Sequence, residues 1–218
     1  DDAISEKAIP EGNPYRGLLP YEPEHHGVFF GRTGEIGTLL ERLRSEPCVL
    51  VAGDPGVGKS SLCRAGILPL VAARGLTPGR MWKSAVVLPG RAPLQALTRA
   101  ISAALGCPEE TLEQALQSQP SRFAQVLGHI QGPHTGLLVF VDQLEDLLTI
   151  ADGQELRALA EAIGSLIKRT AEFRVLMAIR QGAMPQMESI PSLAPLVRQP
   201  VYDLRPILAG GIKEVIVG

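Results

Sequence analysis

The sequence is short of the features that mark disulfide-rich, metal-binding and membrane-spanning proteins. Its three cysteines, Cys48, Cys63 and Cys107, form no CxxC pair and show no metal-ligand spacing. A disulfide framework or a common zinc site is therefore excluded, and a reducing compartment is favoured. No apolar run approaches the roughly 20 residues needed to span a bilayer. The chain begins with Asp1 and Asp2 and shows no secretory leader, so we expect a domain of a longer cytoplasmic protein without a membrane contact.

The aromatic content and the net charge of the chain are also low. Only 4% of the residues are aromatic and the net charge is −2 at pH 7, so neither a stacking surface nor a global positive field favours nucleic acid or anionic lipid. These totals leave a local basic groove open. What the chain does contain is an ordinary globular composition, with 45% hydrophobic and 20% charged residues among 218. That is enough for one domain of common size.

Short apolar runs alternate with amphipathic stretches along the chain. The first amphipathic stretch has Ile36, Leu39, Leu40 and Leu43 at helical spacing, which predicts one buried helical face. The runs between such stretches are rich in β-branched residues and continuously apolar, as strands of a buried parallel sheet are. The pattern therefore predicts an α/β domain whose parallel sheet is flanked by helices. The predicted strands are 48–53, 84–89, 136–142, 173–180 and 201–204.

The stretch VAGDPGVGKSSL, residues 51–62, satisfies the phosphate-binding pattern G-x-x-x-x-G-K-[ST] with Gly53, Gly58, Lys59 and Ser60. Glycine lets the backbone bend and approach phosphate, and a helix N-terminus behind the loop attracts the anion. Lys59 is predicted to neutralise the β- and γ-phosphates, and the Ser60 hydroxyl to ligate Mg²⁺. A chain of this length meets the pattern by chance about 1% of the time. The alternative is a glycine-rich turn without a ligand.

The other residues of the loop are predicted to line the same nucleotide. Their backbone amides should point inward, and the Ser61 side chain should reach the α-phosphate. An acid inside an anion-binding loop is unusual, so we expect the Asp54 side chain to point outward or to weaken the affinity. The helix after the loop is predicted to run from Lys59 to about Ala73. The remaining loop residues are Asp54, Pro55, Gly56, Val57 and Ser61.

A second motif, LLVFVDQLEDLL at residues 137–148, supplies the acidic side of such a site. Asp142 follows an apolar strand, where a carboxylate can hold a Mg²⁺-bound water; the alternative is a helix-capping aspartate. Glu145 or Asp146 is predicted to orient the attacking water as general base, with Glu145 preferred. Both acids could instead begin a solvated helix. Gln143 stands directly after Asp142, and because the catalytic acid is not adjacent to Asp142, we expect slow hydrolysis.

A cation, Arg180, ends the predicted strand FRVLMAIR at residues 173–180. The carboxyl ends of parallel strands face the ligand crevice of an open α/β sheet. We therefore expect Arg180 to sense the γ-phosphate, with an ordinary surface arginine as the alternative.

These motifs resemble a known family. The chain looks like the ATPase domain of STAND proteins, signal-transduction ATPases with numerous domains, and more narrowly like the novel STAND NTPase, type 1, of large bacterial multidomain proteins. Five segments support the resemblance in order: NPYRGLLPYEPEHHGVFFGRTGEI, GDPGVGKSSLCRAGILPLV, WKSAVVLPGRAPLQAL, VFVDQLEDLLT and PLVRQPVYDLRPIL. The resemblance covers about Asn13 to Gly218, nearly the whole chain.

The resemblance implies a three-layer P-loop NTPase fold with strand order 5-1-4-3-2, similar to AAA+ and STAND domains. It also implies ATP or ADP with Mg²⁺ as cofactors, Arg32 near the adenine and ribose, and Tyr15 at the border of the nucleotide. Arg32 could equally be a solvated residue of a first helical turn. We expect a linker over residues 1–12, the P-loop nucleotide-binding domain over 13–205, and the start of a following helical subdomain over 206–218.

Three functions remain open at this point. The first is a regulatory ATPase switch, with Glu145, Asp142 and Arg180 as catalytic residues and Ser60 and Asp142 at the metal. Its partners would be the nucleotide, effector and sensor domains of the same longer chain, and further copies of itself on activation. The second is a structural nucleotide-binding module without turnover. The third is an AAA+-like ATPase that remodels nucleic acid, which the low aromatic content and the negative charge disfavour.

Overall fold

The computed structural model describes residues 19–150, 152–169 and 171–207. Its centre is a sheet of five parallel strands in the order β2-β3-β4-β1-β5. This confirms the predicted order 5-1-4-3-2, in which two strands separate the P-loop strand from the edge strand β2. The strands are β1 Cys48–Gly53, β2 Met81–Val87, β3 Thr135–Val141, β4 Phe173–Arg180 and β5 Val201–Asp203.

The inner strands are continuously apolar because helices cover both faces of the sheet. Every residue of β1 is buried, and all but the last residue of β4 are buried. Alternate residues of β1 point to opposite faces, so Leu50 and Val49 belong to two separate hydrophobic clusters. Each fully buried aliphatic side chain stabilises the fold by about 1.5–3 kcal/mol. The three-layer arrangement predicted from the sequence is confirmed.

The helices divide between the two faces. On one face, the helix before β1 and the helical stretch after the P-loop pack against the sheet, and on the other face lie the helices between Pro93 and Val197. The predicted helix after the P-loop is present, but its middle is a π-helical segment, Leu62–Ile67. The helices are α1 Thr33–Ser45, α2 Lys59–Ser61, α3 Leu68–Arg74, α4 Pro93–Leu105, α5 Glu109–Ser118, α6 Phe123–Gln131, α7 Gly153–Lys168, α8 Met184–Ser189 and α9 Ala194–Val197. Shorter 3₁₀ turns include Pro23–Val28 and Leu144–Thr149.

The edge strand β2 begins three residues before the predicted start at Ser84. Its first residues pair with β3 from Met81↔Thr135 onward. The Met81 side chain is exposed and the Trp82 side chain is buried. An edge strand with exposed side chains lacks the continuous apolar pattern of the inner strands, and this is why the sequence predicted a shorter strand.

The predicted domain boundaries stay predictions. The linker over 1–12 lies outside the described residues, and only Pro206 and Ile207 of the predicted following subdomain lie within them. Among the helices of the described residues, none has the length and apolar character needed to cross a membrane.

Candidate nucleotide-binding site

The predicted site residues come together at the carboxyl edge of the sheet, because β1, β3 and β4 are neighbouring parallel strands. The P-loop follows β1, Asp142 follows β3, and Arg180 ends β4. They line one cleft of about 400 Å³, a volume typical of small-molecule sites. The cleft is lined by Leu19, Pro20, Tyr21, Pro55, Gly56, Gly58, Lys59, Ser60, Ser61, Asp142, Gln143, Glu145 and Arg180.

Two glycines of the loop are needed for different reasons. Gly58 has φ 96° directly before α2, a left-handed conformation that costs other residues free energy. Gly53 is needed for space, since a Cβ there would lie 2.7 Å from the Leu204 carbonyl oxygen. The loop therefore turns tightly into α2 while β1 stays close to the chain after β5. The first backbone N–H groups of α2 have no partner within a helix, so they suit an anion.

Lys59 folds back over its own loop. Its Nζ donates hydrogen bonds to the carbonyl oxygens of Gly53 at 2.9 Å and of Asp54 at 3.0 Å. Burial lowers the pKa of the Lys59 ammonium from its usual 10.5, although the nearby carboxylate of Glu145 opposes the shift. Because the ammonium is partly desolvated, an anion in the cleft would stabilise its charged form. This is the behaviour expected of a phosphate-binding lysine.

Ser60 and Asp142, the two residues of the predicted metal site, are joined by a hydrogen bond across the cleft. The Ser60 hydroxyl donates a 2.8 Å hydrogen bond to Oδ1 of Asp142, which is buried. Hydroxyl and carboxylate oxygens are ligands that suit Mg²⁺, which also keeps waters and phosphate oxygens in its shell. Within the described residues, no cluster of three His, Cys, Asp or Glu side chains could hold a metal by itself. A Mg²⁺ ion at Ser60 and Asp142 would therefore depend on the nucleotide.

The buried Arg64 is a residue of the site that the motifs did not identify. Its Nε and Nη2 donate to Oδ2 of Asp142 at 3.1 and 2.9 Å. Its Nη1 donates to Oε1 of Glu22 at 2.7 Å. In the sequence, Arg64 is the single charged residue of the apolar stretch LCRAGI, residues 62–67, within the extended P-loop segment that supports the family resemblance. We name Asp142 and Arg64 the inner pair.

Glu145 is paired with Arg180 at the outer part of the cleft. Nε of Arg180 lies 2.9 Å from Oε1 of Glu145, and the Arg180 backbone N–H donates to Oε2 at 3.2 Å. Gln143, with φ 58°, turns the chain after β3 so that Glu145 reaches the cleft. Asp146 is not among the lining residues, and its pKa is raised by burial and by the charge of Glu145. We name Glu145 and Arg180 the outer pair.

Arg32 lies on the opposite side of the P-loop and is buried. Its guanidinium donates to Oε1 of Glu35 at 2.6 Å, to the carbonyl oxygen of Arg205 at 2.8 Å and to that of Val57 at 2.9 Å. It is therefore not a solvated first-turn residue but a link between α1, the P-loop and the chain after β5. It lines a second cleft of about 340 Å³ together with Asp54, Pro55, Gly56, Val57, Pro206 and Ile207.

Of two further predicted nucleotide contacts, Ser61 and Tyr15, the structure describes only Ser61. Ser61 lines the main cleft, and its Oγ accepts a hydrogen bond from the Tyr21 backbone N–H at 3.1 Å. Tyr15 lies outside the described residues, so its contact with the nucleotide stays a prediction.

Solved structures share this fold at low sequence identity. The Walker-type ATPase PABY2304 of Pyrococcus abyssi is 16% identical, with a TM-score of 0.54 over 89% of this chain and 58% of that chain. The ORC2 protein of Aeropyrum pernix, solved in ADPNP–ADP complexes, is 20% identical, with a TM-score of 0.53 over 88% and 50%. Cdc6p from Pyrobaculum aerophilum is 13% identical, with a TM-score of 0.52 over 94% and 51%.

These likenesses concern the fold alone, and the chain spans about half the length of the solved structures it matches. No match was found among curated proteins. The family model described as Novel STAND NTPase 1 matches residues 14–218. The matched residues therefore include the P-loop, the inner pair and the outer pair. The family resemblance expected from the motifs is confirmed by this match. This P-loop chain belongs to the Novel STAND NTPase 1 family.

Proposed function

We propose that the chain is the nucleotide-dependent switch domain of a STAND-type signalling or defence protein. It binds ATP with Mg²⁺, hydrolyses ATP slowly, and its nucleotide state controls conformation and oligomerisation. The observation that carries the proposal is the single cleft in which Lys59, the Ser60–Asp142 hydrogen bond and the outer pair face one another. These are the groups that binding and cleaving a nucleoside triphosphate require.

Binding of the phosphates depends first on the loop. Backbone N–H groups of residues 54–60 surround the phosphate chain, and Ser61 contacts the α-phosphate. Lys59 exchanges its bonds to the loop carbonyls for β- and γ-phosphate oxygens, which compensate its charge better than neutral carbonyls do. The Asp54 side chain is exposed, which keeps its negative charge in high-dielectric surroundings.

Ser60 and Asp142 hold the metal side of the site. Bound Mg²⁺ would supply positive charge against the phosphate oxygens. The Ser60 hydroxyl, which donates to Asp142 at 2.8 Å, lies where it can serve as a direct ligand. Oδ1 of Asp142 would then be free to hold a water of the metal by a hydrogen bond.

Hydrolysis depends on Glu145, which orients and deprotonates the attacking water. With Nε of Arg180 at 2.9 Å, the carboxylate is bonded to the arginine and is not available to the attacking water. The outer pair must therefore separate, and Arg180 then turns to the γ-phosphate. This additional step is one reason to expect slow turnover, and Gln143 in the position next to Asp142 is another.

The base and ribose of the nucleotide would lie on the Arg32 side of the loop. The second cleft, with Arg32 and Pro206 in its lining, joins the P-loop to the chain that leads toward residues 208–218. A base held there would contact both the domain and whatever follows it, so nucleotide exchange could move the following part of the protein. Tyr15 is proposed as a further contact of this end.

The setting of the switch is part of the proposal. Its partners are effector and sensor domains of the same longer chain and further copies of the protein on activation. A neighbouring copy could supply an additional arginine to the phosphates. We place the protein in the cytoplasm, because its cysteine pattern suits a reducing compartment.

A structural module without turnover is the second candidate. The observation in its favour is the outer pair itself, since a carboxylate that stays bonded to Arg180 cannot activate water. In that case the chain binds ATP and ADP but releases no phosphate.

One experiment separates these functions. Calorimetric titration of ATP and of ADP with Mg²⁺, together with phosphate release, is measured for the wild type, Lys59→Ala and Glu145→Gln. The switch predicts that Lys59→Ala loses binding, whereas Glu145→Gln binds normally and loses the slow turnover. Binding without turnover in the wild type supports the structural module. A wild type that binds neither nucleotide contradicts both candidates.

A further inference from the structure

The π-helical segment Leu62–Ile67 places one arginine among apolar neighbours. All six residues of the segment are buried, and Arg64 is the charged one. A π-helical turn shifts side chains relative to an α-helix and occurs often at functional sites. Here the shifted side chain is aimed at the metal-side carboxylate rather than at solvent.

Arg64 and Ser60 together occupy both oxygens of Asp142. Ser60 bonds Oδ1, and two nitrogens of Arg64 bond Oδ2 at 3.1 and 2.9 Å. Charge-assisted bonds of this kind fix direction as well as position. The carboxylate plane is therefore set by Arg64, whose bonds to Oδ2 can persist when Ser60 leaves Oδ1.

The third bond of Arg64 leads to the N-terminal segment, residues 19–30. Nη1 donates to Oε1 of Glu22 at 2.7 Å. Because the guanidinium is planar and rigid, a movement of Glu22 that shifts Nη1 also rotates Nε and Nη2, the two nitrogens bonded to Asp142. Glu22 is 30% exposed at its side chain, so it can leave this bond more readily than Asp142 can.

The N-terminal segment packs along the same helical stretch. The Tyr21 backbone N–H donates to Oγ of Ser61, and Nδ1 of His26 lies 2.6 Å from the Ala65 carbonyl oxygen. Gly66 leaves room for Phe29, whose Cε1 atom would lie 3.3 Å from an added Cβ. The segment therefore contacts the same helical stretch that carries Ser61 and Arg64.

We propose that Arg64 is a positioning residue that orients Asp142 for Mg²⁺, and that Glu22 makes this orientation depend on the N-terminal segment. The inference rests on the proposed function, because it concerns the metal side of the same nucleotide site. Loss of the Glu22–Arg64 bond then weakens Mg²⁺-dependent nucleotide binding, while the residues of the phosphate loop keep their own contacts. A purely structural ion pair would stabilise the fold and leave metal binding unchanged.

The test compares ATP affinity in Mg²⁺ with ATP affinity in EDTA, by calorimetry on the 218-residue chain. The ratio of the two affinities, called the Mg²⁺ ratio, measures how much the metal adds to ATP binding, separately from what the phosphate loop adds. Removing a group that orients a metal ligand lowers metal affinity about 10–100-fold. We therefore expect Arg64→Gln to lower the ratio by about 10-fold or more, with EDTA affinity close to that of the wild type.

Two variants separate orientation from charge. Arg64→Lys keeps the charge but loses the planar fork, so orientation predicts a reduced ratio in this variant too. If charge alone mattered, Arg64→Lys would match the wild type, and Arg64→Gln, with one positive charge less near the metal, would bind Mg²⁺ at least as well. Either result overturns the inference.

The matched control is Arg174→Gln. Arg174 is also buried, but it lies at the start of β4 and donates to the carbonyl oxygens of Leu43 and Arg44. Its loss should lower the melting temperature and leave the Mg²⁺ ratio at the wild-type value. A fall in the ratio equal to that of Arg64→Gln would show a general effect of destabilisation and would overturn the inference.

Glu22→Gln tests the link to the N-terminal segment, and it decides the question if Arg64→Gln proves too unstable to titrate. We expect its ratio to fall about two- to fivefold, as loss of a partly exposed charge pair allows. A ratio equal to that of the wild type overturns the link. A wild type that binds no ATP contradicts the proposed function, whereas a strong Mg²⁺ enhancement retained in the Arg64 variants overturns this inference alone.

Discussion

The inner and outer pairs are alike in composition and different in surroundings. Each joins a carboxylate after β3 to an arginine, with an N–O distance of 2.9 Å in both pairs. In the inner pair the Asp142 side chain is 1% exposed and the Arg64 side chain 11%. In the outer pair Glu145 is 13% exposed and Arg180 is 59% exposed. The same chemical contact is thus made once with both partners in the interior and once with an arginine that is exposed to solvent.

This difference in exposure distinguishes a carboxylate held in place, Asp142, from one that can change its partner, Glu145. Removing one partner of a buried pair leaves a desolvated charge and costs about 3–5 kcal/mol, whereas a solvent-exposed pair contributes about 0–1 kcal/mol. Under the proposed function, Asp142 is therefore expected to keep its orientation while the nucleotide changes. The carboxylate proposed to activate water can leave its arginine at little cost, which suits a group that acts in only one nucleotide state.

The largest effect should follow from breaking the inner pair. Asp142→Ala leaves Arg64 buried and bonded only to Glu22, so the free energy of unfolding should fall by about 3–5 kcal/mol, measured by urea denaturation. In the double variant Asp142→Leu with Arg64→Met both buried charges are gone, and most of the lost stability should return. If the single variant is as stable as the wild type, the inner pair is not the strongly desolvated contact described here.

The second effect concerns turnover. Glu145→Gln should reduce phosphate release about 100-fold or more, as loss of a general base does, while the free energy of unfolding changes by no more than about 1 kcal/mol. Asp146→Asn, one residue further, serves as the control and should hydrolyse ATP like the wild type. Equal losses in the two variants would contradict the assignment of Glu145.

A smaller effect is expected at the other half of the outer pair. Arg180→Gln removes the proposed charge-assisted contact to the γ-phosphate, so the preference for ATP over ADP should fall about tenfold. Calorimetric titration with both nucleotides measures that preference, and Arg157→Gln on α7, an exposed arginine outside the cleft, provides the control. An unchanged preference in Arg180→Gln would mean that Arg180 only neutralises Glu145.

The smallest effect concerns Gln143, which lies in the turn between Asp142 and Glu145. Gln143 is the one non-glycine with positive φ among the described residues, at 58°. Gln143→Gly should relieve this conformation and raise the free energy of unfolding by roughly 0.5–1 kcal/mol. Gln143→Ala keeps the strain and should show no gain in thermal denaturation. A loss of stability in Gln143→Gly would show that the glutamine side chain itself holds the turn.

The sequence predicted the inner strands and the P-loop well, because those features are local. The predicted bounds of β1 and β4, residues 48–53 and 173–180, agree with the structure, since continuous apolar runs end at polar or glycine residues. The edge strand β2 was predicted too short because one side of it faces solvent. The π-helical interruption after Ser61 leaves no mark in the apolar pattern.

The hydrogen-bond partners of the buried Arg64 and Arg32 could not be predicted from local sequence patterns. Arg64 lies 78 positions from Asp142, and Arg32 lies 173 positions from the carbonyl of Arg205 that it contacts. Such pairings depend on how the helices and the N-terminal segment fold over the sheet. A charged residue in an apolar stretch indicates a buried partner, but the sequence does not say which one.

The most direct test is a crystal structure of the chain with a non-hydrolysable ATP analogue and Mg²⁺. The account predicts that Arg64 keeps both bonds to Oδ2 of Asp142, that Ser60 leaves Oδ1, and that Glu145 and Arg180 have separated, with Arg180 at the γ-phosphate. An outer pair still closed at its present 2.9 Å, beside an Arg64 that has released Asp142, would contradict the assignment of the fixed and the exchangeable carboxylate.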